Sequence, residues 1–279
     1  MSFRLLAVDL DGALVDAAGA VHAPDREAIT ALAAKGIPTT IITGRLFSGT
    51  RHIASDVGTR GPVACVDGCH LVEAASGADL LHGSIAAGRA DQLRDLIERH
   101  TVTTFVFAND QILYDDAGAP HLPYVRTWSL DQVRTERVTV HPHWEHARGI
   151  TALVCLGTER DIRGLEIDLG GTLGHAVYTA VFPVRRVQKV GMWAMVVRAS
   201  GYSKGTALVW LARHHGITPE EVIAVGDWFN DVPMFEAAGR SFVMAQAPED
   251  VKQTATDRLD ADSSTGGGIA EAALRAGLL

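Results

Sequence analysis

The stretch Leu5-Leu6-Ala7-Val8-Asp9-Leu10-Asp11-Gly12 decides the fold. Its apolar run, Arg4 to Val8, is short and ends abruptly in acid, which reads as a buried strand rather than a helix. Asp9 and Asp11 stand two apart, so an extended backbone aims both carboxylates the same way. In parallel α/β sheets, ligands sit beyond the carboxyl ends of the strands. A strand that stops at paired carboxylates is therefore a candidate site as well as a structural element.

Working outward, Pro24 to Lys35 predicts a helix. Pro24 suits its first turn, Asp25 and Glu27 favour the positive end of its dipole, and Gly36 can close it. A β-branched strand follows from Ile37 to Ile42 and ends at Thr43-Gly44-Arg45. A helix from Leu46 to Val57 and a strand from Pro62 to Val66 continue the alternation, which implies a mostly parallel sheet covered on both faces. The same rhythm returns late in the chain. Lys204 to His215 predicts a helix, Thr218 to Glu221 a single capped turn, and Val222 to Val225 a strand leading into Gly226-Asp227-Trp228-Phe229-Asn230-Asp231. A helix from about Asp231 to Ala238 and a strand near Phe242 complete it.

The middle breaks the rhythm. Ile85 to His100 predicts a helix, and Thr104 to Phe107 with Ile112 to Tyr114 a hairpin around Asn109-Asp110. Strands are expected at Ile150 to Leu156 and His175 to Phe182, around a helix near Glu159 to Leu169. The expectation is two domains: residues 1–83 with 187–279, and an inserted α+β domain at 84–186. A length of 279 residues agrees with about two domains.

Three predicted strand ends carry polar residues, and four carboxylates (Asp9, Asp11, Asp227, Asp231) would repel one another without a cation. All-oxygen ligation suits Mg²⁺. A carboxylate nucleophile attacking a phosphate dianion meets charge repulsion, which a metal and Lys204 would screen. Thr43 offers a hydroxyl, and neighbouring backbone N–H groups can complete a phosphate cradle. Asp9 would become an aspartyl-phosphate. Asp11, if protonated, would donate to the leaving oxygen and then deprotonate water. A free Asp has a pKa of ~3.9, so that role needs an upward shift from its surroundings.

At these residues the sequence resembles the haloacid dehalogenase (HAD) superfamily of phosphotransferases. Asp9 to Leu14 resembles the first motif, Ile42 to Arg45 the second, Ser203-Lys204-Gly205 the third, and Gly226 to Asp231 the fourth. The match is closest to the Cof-like sugar-phosphatase branch, and Val243 to Ala247 and Gly266 to Gly268 extend it. The resemblance implies an α/β fold, a Rossmann-like parallel-sheet core with an inserted C2-type α+β cap that sets substrate specificity. It implies Asp9 as nucleophile and metal ligand, Asp11 as general acid/base and carbonyl ligand, and Asp227 as metal carboxylate. Gly12, Thr43, Gly44, Lys204 and Asn230 are implied to bind phosphate, and Asp231 to orient Lys204 or metal-bound water. Ala13 departs from the family's Thr, and Asp67 and Gln246 each replace an Asn, with consequences for fine geometry and substrate contacts.

Other features have plainer readings. Arg45 is either a salt-bridge partner or a substrate contact. His141, His143 and His146 fit no zinc spacing used here and read as a solvated surface. Cys65 reads as a small buried hydrophobe. Trp228 reads as packing, and Arg185 and Arg186 as solvated charge near the returning hinge. Neither a Walker A sequence nor a strand-linked GxGxxG is present.

Composition excludes several classes. Hydrophobic residues make up 47% and charged residues 21%, which rules out a disordered or collagenous chain. A net charge of −8 argues against nucleic-acid and anionic-membrane partners. There is no apolar run of about 18 residues, and Asp9 comes too early for a signal peptide. Three cysteines imply no disulfide framework and a cytoplasmic setting. The leading expectation is a Mg²⁺-dependent phosphomonoesterase of a small phosphorylated metabolite, with sugar phosphates the leading class. The alternatives are a phosphomutase and a non-catalytic ligand sensor. The sequence does not specify the ester or the oligomeric state.

Overall fold

The computed structural model describes residues 2–85, 87–146, 148–184 and 191–279; the hinge arginines Arg185 and Arg186 lie outside the described residues. In chain order the strands are β1 (Leu5–Val8), β2 (Thr39–Ile41), β3 (Pro62–Cys65), β4 (His70–Glu73), β5 (Asp79–His82), β6 (Thr103–Ala108) and β7 (Gln111–Tyr114). They continue with β8 (Gln132–Arg134), β9 (Ala152–Thr158), β10 (Val177–Pro183), β11 (Met192–Ala199), β12 (Val222–Gly226), β13 (Arg240–Val243) and β14 (Asp257–Arg258). The helices are α1 (Ala23–Ala34), α2 (Phe47–Asp56), α3 (Ala87–Arg99), α4 (Leu122–Val125) and α5 (Glu159–Leu173). α6 (Lys204–His214), α7 (Val232–Ala237), α8 (Glu249–Lys252) and α9 (Gly268–Arg275) follow.

The chain divides into two compact units, the first made of Met1–Gly44, Thr50–Leu81 and Tyr202–Leu279. Its main sheet has the order β14-β13-β12-β1-β2, and every pairing in it is parallel. A parallel bridge from Ile42 to Ala64 carries the order on towards β3. From β1 the chain moves to β2 on one side, while β12 lies on the other. That is a topological switch point, where the crevice of a doubly wound sheet opens. β1 and β12 are buried throughout, as strands covered on both faces require. Each fully buried Leu, Ile or Val there contributes about 1.5–3 kcal/mol.

Helix α1 forms as its pattern predicts, with Ala28, Ile29 and Leu32 buried and Gly36 at φ 77° closing it. Its Asp25 carboxylate accepts from the N–H groups of Gly267, Ile269 and Ala270 at 2.8, 2.8 and 3.1 Å, satisfying the exposed donors at the start of α9. The Thr218 turn is a single 3₁₀ turn, Pro219–Glu221, with Glu221 accepting from the Thr218 N–H at 2.9 Å. β3 ends in a tight Val66–Gly68 turn and pairs antiparallel with β4, so a small sheet, β3-β4-β5, adjoins the main one. The sequence reading has no counterpart for β4 and β5: their short mixed runs show neither alternation nor a long apolar stretch.

The second unit comprises Arg45–Gly49 and His82–Gly201. Its six-stranded sheet has the order β10-β11-β9-β6-β7-β8, antiparallel except for the β7/β8 pair. The β6–β7 hairpin turns through Asn109 and Asp110 at φ 50° and 62°, the left-handed pair that a two-residue turn needs. Thr158 caps α5 by accepting from the Asp161 N–H at 3.2 Å. One expected boundary moves. The sequence returns the chain to the first unit at residue 187, yet β11 pairs with both β9 and β10 inside the second unit's sheet. The run Met192 to Ala199 is apolar enough for a core strand of either unit, and only its partners decide. No helix among the described residues is long and apolar enough to cross a membrane.

Candidate active site

The first unit's strand ends converge. Parallel pairing sets Val8 opposite Val225, and the Asp9 N–H donates to the Val225 carbonyl at 2.8 Å. Asp9 and Asp227 therefore leave the same edge of neighbouring strands. The loop after β12 folds back on itself: a Cβ on Gly226 would lie 2.5 Å from Asp231 Cγ, so only glycine admits that carboxylate. Gly12, at φ +90°, is equally constrained, since a Cβ there would lie 2.3 Å from Asp227 Oδ2. The first and fourth motifs are thus in direct contact through glycine.

Lys204 arrives from the start of α6, whose cap Ser203 accepts from the Thr206 N–H at 3.1 Å. Its ammonium donates to Asp9 Oδ1 at 2.5 Å and to Asp231 Oδ1 at 2.6 Å. The other Asp231 oxygen accepts from the Asp227 and Trp228 N–H groups at 2.8 and 2.9 Å. Both oxygens of Asp231 are thereby held by protein donors, and the residue acts as a brace between Lys204 and the loop that carries Asp227.

Lys204 is 1% exposed, Asp9 4% and Asp231 0%. Burial pushes the Asp9 carboxyl well above the usual carboxylate range; Lys204 pulls it down, while Asp231 and Asp227 push it further up. Burial works against the Lys204 ammonium, but Asp231, Asp9 and Asp67 outweigh it and raise its pKa, so it stays charged. One ammonium among this many carboxylates leaves a buried negative excess.

Ligand atoms of Asp9, Asp227 and Asp231 lie within 4.8 Å of one another, the one such group among the described residues. An all-oxygen, buried, net-negative donor set fits a hard divalent cation. Asp231 gives its oxygens to Lys204 and the backbone, which leaves Asp9 and Asp227 as the carboxylates suited to that ion. Asp11 is half-buried, and its side chain lies outside this group.

Thr43, Gly44, Asp67 and Asn230 lie close to one another. Thr43 is buried, and its carbonyl accepts from the Asp67 N–H at 2.9 Å. Asn230 Nδ2 donates to Asp67 Oδ1 at 2.9 Å, and Gly44 packs against the same two side chains. Arg45 belongs to the second unit, is 4% exposed, and donates to the Gly49 carbonyl at 3.2 Å. Arg45 is therefore buried rather than a surface residue.

In the sequence, Asp67 and Gln246 stand out only as departures from the family pattern. The structure gives both a place: Asp67 under Asn230, and Gln246 donating to the Gly12 carbonyl at 2.6 Å. Their positions were the available signal, since each follows a predicted strand. The His141 and His143 rings lie tilted with centroids 4.7 Å apart, His143 and His146 meet edge to face at 5.9 Å, and the three form no ligand group among the described residues. Cys65, Cys69 and Cys155 are buried and form no disulfide.

A family profile described as haloacid dehalogenase-like hydrolase matches residues 6–272. The chain is 23% identical over 264 residues to the stress response protein YhaX of Bacillus subtilis, covering 91% of this chain and 87% of that one. It is 24% identical over 261 residues to the pyridoxal phosphate phosphatase YbhA of Escherichia coli, covering 91% and 92%. Among solved structures, a haloacid dehalogenase-like hydrolase from Bacteroides thetaiotaomicron superposes with a TM-score of 0.83 at 20% identity, covering 98% and 99%. The order of motifs, the parallel sheet and the profile match agree: this chain belongs to the haloacid dehalogenase-like hydrolase family, among its Cof-like members.

Proposed function

We propose that this chain is a Mg²⁺-dependent phosphomonoesterase that hydrolyses a small phosphorylated metabolite through an aspartyl-phosphate on Asp9, with sugar phosphates the leading class. The observation that carries the reading is Lys204 bridging Asp9 and Asp231 at 2.5 and 2.6 Å inside a buried carboxylate group. The Asp9 and Asp227 carboxylates and the Asp11 main-chain carbonyl would hold the ion. When bound, Mg²⁺ supplies positive charge that screens a phosphate dianion from a carboxylate nucleophile.

An ammonium has three N–H donors. Two of those on Lys204 go to Asp9 and Asp231, and the third serves a phosphoryl oxygen. The second amide hydrogen of Asn230, the Thr43 hydroxyl and the N–H groups of Gly12 and Gly44 complete the cradle. An Asp9 oxygen attacks phosphorus and the bond from phosphorus to the ester oxygen breaks. Asp11 delivers its proton to that leaving oxygen. Asp11 then takes a proton from water, whose oxygen attacks the same phosphorus. The bond to Asp9 breaks and inorganic phosphate leaves, with both carboxyl groups restored.

In this reading the first unit performs the chemistry, and the second, as a cap, selects the leaving group. A cytoplasmic setting is part of the proposal and is supported by three buried cysteines that form no disulfide. The test is a screen of phosphate esters with purified protein and Mg²⁺, including sugar phosphates and, because YbhA bears that name, pyridoxal phosphate. Release of inorganic phosphate that EDTA abolishes and Mg²⁺ restores is expected. An isomerised ester without phosphate release would indicate a mutase, and tight binding without turnover a sensor.

A further inference from the structure

The amide of Gln246 makes three contacts, each to a different part of the site. Its Nε2 donates to the Gly12 carbonyl at 2.6 Å and to Asp227 Oδ2 at 3.1 Å, while its Oε1 accepts from the Ser263 N–H at 3.2 Å. A primary amide offers two N–H donors and one carbonyl. Two of the partners can only accept and the third can only donate, so one orientation of the amide satisfies all three. The loops after β1, β12 and β13 and the turn at Ser263 are joined by this group.

We propose that Gln246 is a positioning residue that sets the Asp227 carboxylate for a divalent cation. The proposal rests on the reading of Asp227 as a metal ligand. A carboxylate that ligates through one oxygen is commonly held by a hydrogen bond to the other, and such partners set metal affinity. The amide suits this work because it is neutral: it orients Asp227 without cancelling the charge that attracts the ion. A Lys or Arg in its place would compete with the cation. The length of the side chain matters too. Gln246 lies three residues beyond the end of β13 and must reach Gly12 while its carbonyl stays on Ser263. An Asn is one methylene shorter and cannot span both.

Gln246 is exposed overall, so water competes for its hydrogen bonds. The expected effect therefore sits at the lower end of the usual 10–100-fold range for such partners. The test is direct Mn²⁺ titration, followed by electron paramagnetic resonance of the free ion, on the full chain and on Gln246→Met and Gln246→Asn. Melting temperatures of the metal-free proteins are measured alongside. Gln246→Met keeps the length and removes every polar contact. It should bind Mn²⁺ about tenfold more weakly with a small change in melting temperature, and Gln246→Asn should fall between it and the parent. Equal Mn²⁺ affinity in parent and Gln246→Met would overturn the proposal, as would a lowered melting temperature with affinity intact. If the parent itself binds no Mn²⁺, the metal reading of Asp227 fails instead, and the two failures are distinguishable.

Discussion

In the main sheet of the first unit the strands run parallel, so their carboxyl ends share one edge, and Asp9 and Asp227 come together there without any further device. In the second unit most neighbours run antiparallel, and successive strand ends alternate between opposite edges. Parallel topology concentrates strand-end residues, whereas antiparallel topology disperses them. The four motifs of the first unit reflect that concentration. In the second, the polar groups that stand out, such as the histidines near Trp144, belong to turns and serve local structure.

The contrast can be broken most sharply at Asp9. Asp9→Asn should lower turnover by at least ~10⁴-fold, the scale of losing a nucleophile, with the circular dichroism spectrum unchanged. Retained activity would mean that convergence at the sheet edge is structural only. Asp11→Asn keeps the carbonyl and removes the proposed proton carrier. A loss of ~10²–10⁴-fold is expected with alkyl phosphates, and a smaller one in the first step with p-nitrophenyl phosphate, whose leaving group needs little protonation. Equal losses on both substrates would remove Asp11 from proton transfer.

A smaller effect is expected at Asp67. Its Oδ1 accepts from Asn230, which an amide oxygen can also do, while its charge opposes a bound phosphate dianion. Asp67→Asn should therefore bind inorganic phosphate more tightly, by up to about tenfold given how strongly neighbouring water and protein damp such charges. Weaker phosphate binding in calorimetry would show that the carboxylate supports the cradle rather than opposing it.

The smallest effect concerns the second unit. Burial holds the His141 imidazole below its usual range; for His143, burial comes first and the neighbouring histidines add to it. Both are lower folded than unfolded, so the unfolded chain takes up more protons as pH falls. Their contribution is present above the unfolded value of ~6.5 and is lost as pH drops through the folded values. The charged groups nearby are Arg94 and Glu145, paired at 4.0 Å. Between pH 7.5 and 5.5, hydrogen exchange corrected for intrinsic rate should quicken a few-fold at Pro142–Glu145. An unchanged rate would remove these histidines from the balance.

Much of the first unit was legible because its signals are local. Strand, helix and cap each announce themselves within a few residues, as at Asp25, Gly36 and Glu221. The motif glycines were equally legible, although the reason for Gly226, the fold-back of Asp231, needs coordinates. What could not be read depends on distant partners. β11 is one case, since its apolar run does not say which sheet it joins. Gln246 is another: its partner Gly12 is separated from it by most of the chain. Arg45 is a third, because burial of a guanidinium is a property of the fold around it.

The central claim is that Asp9, and not its neighbour Asp11, takes the phosphoryl group. It is tested most directly by acid-quenching Asp11→Asn during turnover of p-nitrophenyl phosphate and locating the adduct by peptide mass spectrometry. The account predicts a phosphoryl group on Asp9, accumulating because its hydrolysis lacks a base. An adduct on any other residue, or turnover by this variant with no adduct detected alongside full activity in Asp9→Asn, would contradict it.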